Sequence, residues 1–277
     1  MTLNTVPCVE ANGARIPALG LGTWELRGRD CARAVEAALR LGYRHIDTAE
    51  MYGNEEAVGQ GLRAAGVPRD EVFVTTKVWP DNLAPRDLER AAAKSLSRLR
   101  LDSVDLLLIH WPNPRIPLPG TIAALCRMQQ TGRAGNVGVS NFTVGLIEEA
   151  VRLAPVPLVT NQIEWHPWID QSKVVAACRR HGLAVTAYSP IARGRAAGDA
   201  VLAAIGARHG KSAGQVCLRF LLQQGAIVIP RTSRPERLKE NMEVFDFELQ
   251  AEEVAEIRGL GRASGRMVDW PGAPDWD

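Results

Sequence analysis

Short runs of apolar residues alternate along this chain with longer segments whose apolar positions return every three or four residues. The first pattern suits a buried strand and the second an amphipathic helix. Strands are predicted at 18–21, 44–47, 72–77, 104–110, 134–140, 158–163, 184–188 and 226–229, and helices at 31–41, 55–65, 85–99, 120–131, 144–153, 171–181, 212–223 and 234–244. Ahead of them, apolar runs on either side of Asn12-Gly13 predict a β-hairpin, because that dipeptide readily takes the left-handed conformations of a two-residue turn. Helix ends carry matching punctuation: Ser212 opens one helix, Pro85 and Pro235 sit in first turns, and Gly66, Gly132 and Gly182 follow last turns. Strands alternating with helices imply parallel βαβ units, and a run such as Leu106-Leu107-Leu108-Ile109 implies a strand covered on both faces. Eight such units in 277 residues favour an α/β chain folded as a single-domain (β/α)8 TIM barrel over residues 1–277, with the hairpin at its N-terminus. The competing open sheet would want Gly-x-Gly-x-x-Gly after its first strand. Gly20-Leu21-Gly22-Thr23-Trp24-Glu25 lacks the third glycine and runs into the polar Arg27-Gly28-Arg29.

Polar residues interrupt this pattern at particular places. Asp47, Lys77 and His110 stand where the second, third and fourth apolar runs give out, and Tyr52 follows Asp47 by five residues. In a β/α barrel the ends of neighbouring strands share one rim, which is where such folds do chemistry. Any one of these residues alone reads as a helix cap or a satisfied polar group, but four on three adjacent strands read as a site. A phenol with a pKa near ~10 is poorly matched to proton transfer at neutrality. An ammonium about 4 Å away, at an effective dielectric of about 20, would favour phenolate by about 4 kcal/mol, or about three pKa units, before desolvation opposes it. Asp47 would keep Lys77 charged, and His110 would orient a carbonyl oxygen.

Composition narrows the chemistry. With 46% hydrophobic and 23% charged residues, a net charge of +2 and no run of five basic residues, the chain shows neither a nucleic-acid groove nor an anionic-membrane patch. A small molecule is the expected partner. Of the 33 basic residues 28 are Arg and 5 are Lys, a bias of genomic base composition that nevertheless singles out Lys77 inside an apolar run. The five cysteines are scattered without Cys-x-x-Cys, and neither a signal pattern nor about 18 consecutive apolar residues appears, so a reduced, soluble, cytoplasmic protein is expected. His45, His110, His166, His181 and His209 form no metal-binding motif, and no metal is expected. No acyl nucleophile is evident either. An oxyanion that needs a proton but no metal arises when hydride is added to a carbonyl.

These residues resemble the aldo-keto reductase family over almost the whole chain. The motifs occur in order: Gly20-Leu21-Gly22-Thr23-Trp24, Gly42-Tyr43-Arg44-His45-Ile46-Asp47 with Tyr52, Thr75-Thr76-Lys77-Val78-Trp79, Asp105-Leu106-Leu107-Leu108-Ile109-His110-Trp111-Pro112, Val137-Gly138-Val139-Ser140-Asn141-Phe142, Asn161-Gln162-Ile163-Glu164 and Ile229-Pro230-Arg231-Thr232. The short segment after His110 and the ending Pro274-Asp275-Trp276-Asp277 look most like the prokaryotic 2,5-diketo-D-gluconate and methylglyoxal reductase branch. The resemblance implies a tetrad of Asp47, Tyr52, Lys77 and His110, with Tyr52 as general acid in carbonyl reduction by NADPH. It also implies that Gly22, Thr23, Trp24 and Asp47 border the cofactor, that Ser140, Asn141 and Gln162 hold its carboxamide, and that Tyr188 stacks on nicotinamide. The segment from Ser189 to Gly194, including Pro190 and Ile191, would line the pyrophosphate. Arg231, Thr232, Ser233 and Arg237 would take the 2′-phosphate, with Glu240 and Asn241 near adenine. A guanidinium fork and a helix starting near Arg234 suit an anion independently of any resemblance. Arg231 stands where the family commonly has Lys, which leaves NADH as a weaker alternative. Trp24, Trp79 and Trp111, with Tyr52 and His110, would wall a pocket for small keto sugars, methylglyoxal-like compounds or aromatic aldehydes. A monomer is expected. The alternatives are a cofactor-binding regulatory or partner-binding protein on the same barrel, and a metal-dependent hydrolase, for which the sequence offers no ligand set.

Overall fold

In a computed structural model, which describes residues 6–269 and 271–277, eight parallel strands form one sheet in chain order. They are β3 (Leu21–Gly22), β4 (His45–Asp47), β5 (Phe73–Val78), β6 (Val104–Ile109), β7 (Ala134–Ser140), β8 (Leu158–Glu164), β9 (Ala184–Tyr188) and β10 (Ile227–Val228). Parallel bridges between Leu19 and Val228 and between Gly22 and Arg231 join the first and last strands and close the ring. The antiparallel hairpin of β1 (Cys8–Ala11) and β2 (Ala14–Pro17) turns at Asn12-Gly13 as expected. Ala11, Ala14 and Ile16 pack with Leu106, Leu108, Val159, Ala184 and Ile227, so the hairpin plugs one mouth of the barrel. The Asn12 amide fastens the plug by donating to Leu158 O at 2.7 Å and His181 O at 3.1 Å.

Alternation along the strands decides what points inward. In β6, Leu106 and Leu108 join the plug while Leu107 and Ile109 join the larger core beneath the helices. In β5, Thr76 faces outward to hydrogen-bond Glu55 at 2.6 Å, whereas Thr75 meets His45 at 3.1 Å and Lys77 meets Asp47, both inside. The barrel interior is thus apolar near the plug and increasingly polar toward the other mouth.

The helices follow the expected units: α1 (Gly28–Arg40), α2 (Glu55–Ala65), α3 (Pro85–Leu99), α4 (Leu118–Gln130), α5 (Val144–Leu153), α6 (Ser172–Arg180), α8 (Ala213–Gln223) and α9 (Pro235–Met242). Two more, α7 (Ala200–His209) and α10 (Ala251–Arg258), were not expected. The first strand lies at 21–22 rather than 18–21, and β5 runs one residue past Lys77. Helix α1 begins at Gly28, within the stretch expected to be a polar loop. Ser212 caps α8 through a reciprocal capping box with Gln215.

Candidate active site

At the open mouth, β4, β5 and the residue after β6 bring Asp47, Lys77 and His110 together, and the turn at Glu50–Tyr52 carries the phenol back over them. Lys77 is fully buried. Its Nζ donates to Asp47 Oδ1 at 2.6 Å, Thr48 O at 2.8 Å and Tyr52 Oη at 3.3 Å. All three ammonium protons are therefore accounted for. Asp47 Oδ2 accepts from Gln162 Nε2 at 2.8 Å, so both carboxylate oxygens are engaged. The Tyr52 ring packs against Trp24 at 4.9 Å and edge-on to His110 at 5.6 Å, and Trp79 meets that imidazole edge-on at 5.3 Å. Glu50 fixes the Trp79 backbone, accepting its N–H at 3.0 Å and the Asn82 amide at 2.8 Å.

Burial dominates the electrostatics. The Lys77 amine is lowered from its usual 10.5 by desolvation, and Asp47 opposes that shift. His110 falls well below 6.5, first by burial and then through the Lys77 charge, so its imidazole is neutral at physiological pH. Its Nδ1 has no hydrogen-bond partner among the described residues. The Tyr52 phenol is pushed well above 10, first by burial and then by the Asp47 charge. This corrects the expectation from charge spacing alone. Lys77 lies close enough to favour phenolate, but the Asp47 carboxylate offsets its charge and burial opposes ionisation, so the phenol stays protonated.

A cavity of about 860 Å³ extends from this group along the rim. Its wall includes Gly22, Trp24, Asp47, Tyr52, His110, Trp111, Asn141, Gln162, Tyr188, Ser189, Pro190, Ile191, Gly194, Arg231, Thr232, Arg237, Glu240 and Asn241, all expected from the sequence. Thr23 and Ser140 instead lie fully buried behind it. The Thr23 hydroxyl donates to Asp47 O at 3.0 Å and that of Ser140 to Gln162 O at 2.8 Å. Both support wall residues. Ser233 and Trp79 also fall outside the wall, although Trp79 still backs His110. Asn141 sits at φ +62°, a left-handed conformation that Asn tolerates better than most residues. Its amide donates to His110 O and to Ser140 Oγ, both at 3.0 Å, and accepts from Tyr188 Oη at 2.8 Å. One acceptor site on Asn141 Oδ1 thus stays available to a ligand amide. The wall also includes Arg193, inside the expected pyrophosphate segment, and Glu25, Lys211, Arg234 and Val268, which sequence reasoning did not assign to the site. Val268 was not legible in the sequence, since nothing local ties its apolar side chain to a site built on earlier strands. Glu164 brings Val268 there by accepting the backbone N–H groups of Met267 at 2.8 Å and Val268 at 2.9 Å. Among the described residues no group of three or more His, Cys, Asp or Glu side chains could hold a metal ion.

The sequence profile described as the Aldo/keto reductase family matches residues 18–262. Methylglyoxal reductase DkgB of Escherichia coli O157:H7 is 40% identical over 266 residues, covering 95% of this chain and 99% of that protein. A solved structure provisionally described as a 2,5-diketo-D-gluconic acid reductase B superposes with a TM-score of 0.97 at 45% identity over 99% of both chains. The Bombyx mori aldo-keto reductase, solved in complex with NADP, has a TM-score of 0.90 at 37% identity and covers 98% of this chain and 99% of its own.

Proposed function

The chain belongs to the aldo/keto reductase family, and from that premise we propose that Tyr52, Lys77, Asp47 and His110 carry the proton transfer in an NADPH-dependent reduction of small aldehydes and ketones. The observation that carries this assignment is a buried Lys77–Asp47 pair whose Nζ lies 3.3 Å from the Tyr52 phenol, with the His110 imidazole beside it, at the wall of the cavity. The cavity suits a dinucleotide. Its wall offers amide groups from Asn141 and Gln162, and the guanidinium groups of Arg193, Arg231, Arg234 and Arg237 for phosphates. NADPH, when bound, supplies the hydride.

The substrate carbonyl oxygen lies between Tyr52 Oη and His110. A neutral imidazole can donate one hydrogen bond to that oxygen without placing a second full charge beside Lys77. As negative charge grows on the oxygen, the Tyr52 proton moves to it, because an alkoxide is far more basic than a phenolate. The phenolate left behind faces the Lys77 ammonium, so the attraction too weak to ionise resting Tyr52 stabilises the product of proton transfer. Asp47 holds Lys77 in place, and Gln162 ties that carboxylate to the carboxamide side of the cavity. Trp24, Met51, Trp111 and Val268 give the substrate end an apolar wall and help exclude water.

Small α-dicarbonyls of the methylglyoxal type are the favoured substrates, followed by keto sugars and aromatic aldehydes, with NADPH preferred and NADH a weaker donor. The enzyme acts in the cytoplasm as a monomer; the five cysteines are all free, and among the described residues no helix is long and apolar enough to cross a membrane. A panel of carbonyl compounds assayed by loss of nicotinamide absorbance tests the assignment. Methylglyoxal with NADPH should rank high in kcat/KM, and turnover below about 10⁻² s⁻¹ on every reactive aldehyde would reject the reductase role. Arg237→Ala should raise the KM for NADPH much more than that for NADH. Equal losses would remove the 2′-phosphate from that residue.

A further inference from the structure

Arg231 lies directly beside the first barrel strand through its bridge to Gly22. Three residues past Gly22, Glu25 Oε2 lies 3.1 Å from Arg231 Nη2, and both residues line the cavity. Exposed ion pairs are usually loose, because two long side chains must be held in one geometry. Here the backbone mount of Glu25 is fixed. Glu25 is the third residue of a tight turn closed by Leu26 N–H donating to Thr23 O at 3.0 Å, and its φ is +63°. A turn of this kind favours glycine at that position. Asn54 nevertheless clamps it, donating to Thr23 O at 2.8 Å and Leu26 O at 2.9 Å while accepting from Thr48 Oγ1 at 2.7 Å, all in the interior. The other ion pair at this segment, Arg237 with Glu240 at 2.6 Å, is local to one helix. Glu25 and Arg231 instead join segments 206 residues apart across the closure of the barrel.

The geometry points to Glu25 as an internal counter-ion that occupies Arg231 in the cofactor-free enzyme and must surrender it to the 2′-phosphate, so that Glu25 sets how strongly NADP(H) is preferred over NAD(H). The inference rests on the proposed 2′-phosphate site at residues 231–241. A dinucleotide with that phosphate meets a guanidinium already engaged and, once it displaces the carboxylate, a like charge nearby. One without the phosphate leaves the pair intact. Glu25 therefore weakens NADP(H) binding selectively, and it does so from a turn that also carries Trp24, which packs on Tyr52.

Calorimetric affinities for NADP+ and NAD+ in the wild type, Glu25→Gln, Arg231→Ala and the double variant test this. Gln preserves side-chain size and, like Glu, must accept the positive φ, so the turn is retained. Glu25→Gln should tighten NADP+ by about threefold to fivefold, the scale of releasing an exposed ion pair, while leaving NAD+ unchanged. The gain should shrink in about 0.5 M salt and be largely lost in the Arg231→Ala background. Unchanged NADP+ affinity, or an equal gain for NAD+, overturns the counter-ion role. A wild type that binds NADP+ no more tightly than NAD+ overturns the 2′-phosphate site and this inference together; a preserved NADP+ preference with an inert Glu25→Gln overturns the inference alone.

Discussion

Lys77 is a buried charged side chain, and among the described residues Asp47 is its only carboxylate partner at contact distance. Breaking a buried pair by neutralising one partner strands the other, which typically costs about 3–5 kcal/mol. Asp47→Asn should lose stability on that scale in urea unfolding and lower kcat, because the ammonium that receives the phenolate is no longer anchored. A variant as stable as the wild type would mean that Lys77 is not charged in the resting enzyme. Asp47, Lys77 and His110 were legible in the sequence because each ends an apolar run, and Tyr52 because it follows Asp47 by five residues. The direction of the Tyr52 shift was not. Spacing shows that Lys77 is near, but the shift depends on burial of the phenol and on the nearby Asp47 charge, which only the folded chain reveals. That the hydroxyls of Thr23 and Ser140 turn to backbone oxygens behind the wall was not legible either, because both lie next to wall residues in sequence.

Close helix packing sets the position of the loop that bears Tyr52. On α2, a Cβ added at Gly61 would lie 2.5 Å from Ala32 O and 2.7 Å from Val35 Cβ on α1. Gly61→Ala should therefore destabilise the protein by about 1–3 kcal/mol, with the loss visible in the thermal midpoint, even though alanine is the better helix former. A stabilised variant would show that α1 and α2 can part freely. At the plugged mouth, Asn12→Ala removes two hydrogen bonds far from the chemistry and should lower stability by about 1–2 kcal/mol while kcat holds. Element boundaries were legible where periodicity and caps coincide, as in α2, α3 and α5, which match residue for residue. Helix α7 was missed because Ala200-Val201-Leu202-Ala203-Ala204-Ile205 is apolar without a clear stripe, and it is buried on only part of its surface. Helix α10 is largely polar, and Gln250 at its N-cap is not a residue type that announces a helix start, so the helix was missed even though the Gln250 N–H donates to Glu253 Oε2 at 2.9 Å.

At the scale of the molecule, a polar barrel interior has a pH signature. His45 and His110 both sit below their usual 6.5, chiefly by burial. The unfolded chain therefore binds protons that the folded one refuses, so this part of the stability is intact above about pH 6.5 and is lost as pH falls. Each histidine should remove about 1.4 kcal/mol per pH unit below about pH 6, a slope measurable by urea unfolding at stepped pH; a flat profile would mean that both rings protonate in place. The ring, its plug and its site end were legible from the order of strands and helices, whereas closure through two short bridges and the ion pair across it depend on three-dimensional contacts between the chain's distant segments. The proposed role of Tyr52 is to supply the proton within a cofactor site it does not build. Its most direct test is single-turnover reduction of methylglyoxal by Tyr52→Phe, with NADPH affinity measured on the same sample. The expected result is binding within about twofold of wild type and a rate lower by about 10²–10⁴, whereas a rate near that of the wild type at equal NADPH affinity would contradict it.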